Sequence, residues 1–184
     1  MRHRLQAVKE GVLVALLTMV SLSLYAYARE DVKEEQVKAA FIFNFAKFVE
    51  WPEKTLESNQ TINLCIAGQD KVEAALRLLE GKEAQNHTLR IIEVTTEIDR
   101  VKELNCHLLF IAQSERKRQL NWLNATSNEP ILTVADNLEL VKQGGMISLY
   151  LESQRVQFVI NQSNTQNNGL KMSARMLQLA RVPK

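Results

Sequence analysis

Residues 106–112 read Cys-His-Leu-Leu-Phe-Ile-Ala. This CHLLFIA stretch is almost continuously apolar. A strand with one face in water alternates apolar and polar residues, whereas a strand covered on both faces does not. CHLLFIA therefore predicts a strand deep in a sheet that carries helices on both sides. Residues 131–135 (ILTVA) read the same way. Residues 61–67 (TINLCIA), ending at Gly68, and residues 89–94 (LRIIEV) add two more strands.

Helices are predicted between and before these strands. Residues 34–49 (EEQVKAAFIFNFAKFV) carry acidic residues in the first turn, which suits the helix dipole, and Trp51-Pro52 stops the helix. Residues 71–79 set Val72, Ala75, Leu76 and Leu79 on one face, with Gly81 beyond. Ser114 is placed to cap a helix running to about Leu123. Residues 137–142 form a short helix or turn before Gly144-Gly145. Residues 146–151 and 155–161 read as two strands joined by the tight turn at residues 152–154, and so pair antiparallel. A polar run, residues 162–168, leads to a last helix over residues 170–180. The fold class that follows is α/β: three layers, with a largely parallel sheet and an antiparallel C-terminal hairpin.

The chain has 184 residues, 23 Lys+Arg against 21 Asp+Glu, and is 46% hydrophobic, which excludes a disordered chain and suits one domain. Arg2, Arg4 and Lys9 against Glu10 account for the whole positive excess. The neutral remainder carries no electropositive footprint for nucleic acid. Residues 1–28 read as a signal peptide: a basic start, an uncharged apolar run over residues 11–24, and a small-x-small end, Ala26-Tyr27-Ala28. The run is shorter than the roughly 20 residues a spanning helix needs. Cleavage after Ala28 leaves residues 29–184 as a single exported domain. The alternative is an uncleaved anchor.

The chemistry-bearing residues are few. There is no HExxH, GxSxG, phosphate-cradling glycine loop or DxD-type metal cluster, so no catalytic residue, metal or cofactor is expected. Cys106 and His107 are strand neighbours whose side chains point to opposite faces, so they cannot act as a catalytic pair. Asp136 follows a buried strand; it either caps the next helix or serves as a functional carboxylate at a strand end. Gly68-Gln69-Asp70 and Gln113-Ser114 lie at similar ends, which suit a small-ligand pocket. Cys65 and Cys106 sit in two strands that can be neighbours. In an oxidising compartment they are expected to form a disulfide; the other possibility is two buried free thiols. The first helix holds Phe41, Phe43, Phe45 and Phe48, four of the six phenylalanines in the chain. Their spacing exceeds one narrow stripe, so they are either buried in the core or covered by another chain.

Seven blocks taken together resemble one family. They are residues 37–52 (VKAAFIFNFAKFVEWP), 64–68 (LCIAG), 106–111 (CHLLFI), 131–136 (ILTVAD), 144–147 (GGMI), 155–161 (RVQFVIN) and 169–180 (GLKMSARMLQLA). Their order and spacing are similar to the YfiR family of small periplasmic proteins, called HmsC in some bacteria. The resemblance implies a non-enzymatic periplasmic repressor, which binds the periplasmic domain of an inner-membrane diguanylate cyclase. An OmpA-type outer-membrane lipoprotein sequesters such repressors, and release of the repressor raises cyclic di-GMP and promotes biofilm formation. The resemblance further implies a homodimer and redox sensitivity through disulfides. Only Cys65 and Cys106 carry over; the family's second cysteine pair, near the C-terminal hairpin, is missing here. The residues expected to meet the partner are Phe41, Phe43, Phe45, Phe48, Trp51, Arg155, Phe158 and Asn161. The alternative function is a small-ligand sensor of the same fold.

Overall fold

A computed structural model describes residues 33–56, 61–94, 98 and 100–181. The predicted signal segment, residues 1–28, lies outside the described residues. The elements in chain order are α1 (Glu34–Phe48), β1 (Val49–Glu50), α2 (Glu53–Leu56), β2 (Thr61–Ala67), α3 (Lys71–Arg77), β3 (Glu83–Ala84), β4 (His87–Val94), α4 (Arg100–Glu103) and β5 (Leu108–Ile111). A 3-10 turn over Gln113–Arg118 leads into α5 (Gln119–Ala125). Then come β6 (Leu132–Ala135), α6 (Glu139–Lys142), β7 (Ile147–Glu152), β8 (Arg155–Ile160), α7 (Gln162–Asn167), β9 (Lys171–Met172) and α8 (Ala174–Leu179).

Seven strands form one sheet in the order β3-β4-β2-β5-β6-β7-β8. Strands β4, β2, β5, β6 and β7 are parallel; β3 and β8 close the two edges antiparallel. The expected α/β fold with its antiparallel C-terminal hairpin is what the chain forms.

Alternate residues explain the layers. Leu64, Ile66, Leu108, Phe110, Leu132 and Val134 point to one face, where Ile42 and Phe45 of α1 and Val72 and Leu76 of α3 cover them. Cys65, Ala67, Leu109, Ile111 and Ala135 point to the other, under Val101, Trp122 and Leu140. Both sets are almost wholly buried, as an uninterrupted apolar strand requires. Cys65 and Cys106 are joined in a disulfide on this second face, with Cα atoms 5.7 Å apart.

The chain runs from β2 outward to β4, then returns across β2 to β5 and proceeds the other way. The sheet therefore reverses its winding between β2 and β5. In open parallel sheets that reversal leaves a crevice beyond the carboxyl ends of the two strands.

Three expectations are corrected. The last helix begins at Ala174, not at residue 170, because Lys171 and Met172 pair antiparallel with Glu50 and Val49 as a separate two-stranded ribbon. The polar run over residues 162–168 is itself helical; the Asn161 side chain caps it by accepting from the Asn164 N–H, and Thr165 is its one buried residue. Ser114 does not cap its own helix. Its Oγ accepts the Gln69 N–H at 2.8 Å, and regular α-helix starts only at Gln119.

Candidate functional site

Helix α1 supplies two neighbouring features of different chemistry. The first is an apolar groove of about 270 Å³ between α1, β8 and α8. Phe45 is 2% exposed and forms the floor with Phe158, their ring centroids 5.1 Å apart. Phe41 packs on Phe158 at 5.5 Å. Phe48, 41% exposed, and Leu179, 61% exposed, form the lips. Arg175 and Asn44 supply polar margins.

The structure thus gathers Phe41, Phe45, Phe48 and Phe158 from the residues expected to meet a partner. The other four lie elsewhere. Phe43 is half-buried on another side of α1, with the Lys47 ammonium 4.5 Å from its ring centroid. Trp51 is buried and donates from Nε1 to the His107 carbonyl at 3.2 Å. Arg155 is exposed at the hairpin turn opposite Glu152. Asn161 caps α7. Arg175, Met176 and Leu179 of α8 were not expected in the groove.

The second feature is a cavity of about 550 Å³ at the winding reversal. Its walls come from the ends of β2, β5 and β6 and from the first turns of α1: Gln69, Asp70, Gln113, Ser114, Asp136, and Glu34, Glu35 and Lys38. Gly68 has φ +83°, and a Cβ there would meet Ser114 Oγ at 2.3 Å, so only glycine fits the turn that opens the cavity. Asp70 accepts the Glu73 N–H at 2.8 Å and the Gln113 N–H at 2.9 Å, tying the two strand-end turns together. Asp136 is not the cap of α6. Leu138 holds the cap position, the Asn137 side chain accepts the Leu140 N–H, and Asp136 instead accepts from Lys38 Nζ at 2.7 Å. Lys38 also donates to Glu34, and its side chain is 5% exposed. Desolvation pulls the Lys38 pKa down, but the hydrogen bonds to Asp136 and Glu34 outweigh it and hold the group above its ordinary value. Lys38 is therefore charged at neutral pH.

His107 belongs to neither feature. The Asn63 N–H donates to its Nδ1 at 2.9 Å, and its Nε2 lies 3.2 Å from the Thr55 carbonyl. Because Nδ1 must accept, the ring is neutral with its proton on Nε2. Burial lowers the His107 pKa, outweighing the Thr55 carbonyl that raises it. Its side chain faces Trp51, while that of Cys106 enters the opposite core.

Comparison with known proteins follows this geometry. No curated protein matches the chain. The fold is similar to a solved conserved domain protein from Vibrio cholerae, at 12% identity over 82% of this chain and 60% of that one, with TM-score 0.55. It is also similar to an ABC domain in complex with L-Trp from Streptococcus pneumoniae, at 10% identity over 77% of this chain and 59% of that one, with TM-score 0.52. The chain spans about 60% of the length of these structures, and at such identities they share the fold alone. A family model, DUF4154, described as YfiR/HmsC-like, matches residues 35–181, which takes in both the groove and the cavity. The chain belongs to the YfiR/HmsC-like family, a regulatory rather than catalytic family.

Proposed function

We propose that this protein is a periplasmic repressor that binds the periplasmic domain of an inner-membrane diguanylate cyclase and holds the cyclase inactive. Membership of a family of periplasmic regulators of cyclic di-GMP signalling supports the setting. The observation that carries the contact is the aromatic groove. A small domain keeps aromatic and long aliphatic side chains at its surface at the expense of solubility, and aromatics buried at the centre of an interface supply much of its binding energy. Phe48 and Leu179 stand exposed above a packed Phe45–Phe158 floor, so a partner side chain entering the groove meets a rigid apolar base and buries both lips.

In this reading residues 1–28 direct export and are removed after Ala28. The groove docks the cyclase domain, an OmpA-type outer-membrane lipoprotein competes for the repressor, and the repressor works as a homodimer. The test is capture of the purified periplasmic cyclase domain by the immobilised protein. Phe48→Ser combined with Leu179→Ser should abolish capture while leaving the melting transition unchanged. Undiminished capture by that variant would move the contact off the groove. A second reading, a small-ligand sensor, is favoured by the charged cavity at the strand ends.

A further inference from the structure

We infer that the aromatic groove takes an acidic amphipathic segment of a partner protein, whose apolar side chains enter the groove while a carboxylate meets Arg175 at the rim. The inference rests on the groove as the docking surface proposed above and adds the chemistry of what docks there.

Charge is divided along the chain. Residues 153–184 hold Arg155, Lys171, Arg175, Arg181 and Lys184 and no acid, whereas residues 29–152 hold 15 basic residues and 20 acidic ones. The fold sets the basic stretch beside the groove. β8 and α8 supply groove walls, and β9 leads directly into α8. Arg155, Lys171, Arg175 and Arg181 are all exposed. Glu50, the acid closest in sequence to the groove residues of α1, stands opposite Lys171 in the β1–β9 ribbon. A partner approaching from this side meets excess positive charge, which speeds and orients the docking of a negative surface.

Arg175 sets where the carboxylate goes. It stands four residues before Leu179 on α8, so the two share one helix face, about 6 Å apart along the axis. Among the described residues the Arg175 side chain makes no hydrogen bond or ion pair, and neither does the Asn44 side chain on the α1 margin. A planar guanidinium binds a carboxylate through two parallel N–H donors, and the Asn44 amide offers a further donor. A segment that seats an apolar side chain against Leu179 therefore carries its acid about one helical turn away. That is the spacing of an amphipathic helix with an acidic margin.

Shape separates a protein segment from a lipid surface. The apolar floor is recessed: Phe45 and Phe158 are buried below the Phe48 and Leu179 lips. A bilayer takes up a convex apolar face that dips into it, whereas a recessed floor is reached by side chains projecting from a partner.

The test uses the full exported protein. It is titrated by fluorescence anisotropy with a labelled helical peptide of about 15 residues, with leucines at i, i+3 and i+7 and glutamates one turn from them. A second peptide carries lysines in place of the glutamates. At about 50 mM NaCl the acidic peptide should bind saturably and the lysine peptide about tenfold more weakly; about 500 mM NaCl should weaken the acidic one several-fold. Arg175→Gln should weaken it about threefold and Arg175→Glu about tenfold or more, both melting with the parent because the side chain is exposed. No saturable binding of the acidic peptide, equal binding of the two peptides, or an affinity unchanged in Arg175→Glu would each overturn the inference. So would Arg175-dependent attachment to phosphatidylglycerol vesicles, or an Arg175-dependent dimer, in place of peptide binding. Capture of the periplasmic cyclase domain is read separately: a protein that binds the acidic peptide and fails to capture that domain keeps its acidic ligand and loses the cyclase as the source.

Discussion

At its N-terminal end α1 gives Glu34, Glu35 and Lys38 to a charged cavity; at its C-terminal end it gives Phe41, Phe45 and Phe48 to an apolar groove. Lys38, Phe41, Phe45 and Phe48 follow one another at helical spacing on one stripe, about 15 Å long at 1.5 Å per residue. Under the N-terminal end lie strand termini, whose turns present backbone amides and polar side chains. Under the C-terminal end lie β8 and α8, whose Phe158, Met176 and Leu179 side chains line the groove. One helical stripe therefore changes chemistry because the sheet beneath it ends on one side and continues on the other.

The largest effect tests what both ends share. The disulfide lies on the opposite sheet face and closes a loop of 41 residues. Cys65→Ser combined with Cys106→Ser should cost about 4 kcal/mol in the chain-entropy model, read as a lower melting temperature. If the melting temperature holds, the shared scaffold does not depend on the cross-link. Within the groove, floor and lip should separate. Phe45→Ser removes a buried ring and should cost about 3–5 kcal/mol in chemical denaturation. Phe48→Ser, at the exposed lip, should stay within about 1 kcal/mol of the parent. Equal losses would make the groove ordinary core.

A smaller effect comes from His107, outside both ends. Its folded pKa is lowered, so the unfolded chain takes up the proton more readily. Stability should be level above about pH 6.5 and should fall as the pH drops below it, by up to about 1.4 kcal/mol per pH unit. His107→Gln should flatten that part of the urea-denaturation profile. The smallest change is expected at the cavity. Glu34 and Asp136 keep access to water when Lys38 is removed, so Lys38→Met should cost about 1 kcal/mol. A loss of 4 kcal/mol would show instead that both carboxylates depend on the lysine.

The central strands and the cavity's strand-end residues were legible because burial on both faces leaves a direct mark on sequence, and strand ends are where turns must be polar. Lys38 was not legible. A lysine on a helix reads as a solvated charge, and of the two carboxylates that make its burial tolerable one, Asp136, stands 98 positions away. The groove was half legible. The crowding of phenylalanine pointed to α1, but β9 takes Lys171 and Met172 out of the last helix by tertiary pairing alone. Met176 faces inward in the helix that results, and so a last helix read from residue 170 missed the groove wall. Asn161 and Ser114 are polar at turns for two different reasons, a cap and a strand-end tie, which local spacing does not distinguish.

The most direct measurement is cellular cyclic di-GMP in bacteria whose only copy of this protein carries Phe48→Ser. The account predicts a variant that is exported, melts with the parent protein, and no longer restrains the cyclase, so that cyclic di-GMP rises. A variant equally stable and equally abundant in the periplasm, with cyclic di-GMP still at the repressed level, would contradict the groove as the repressing contact.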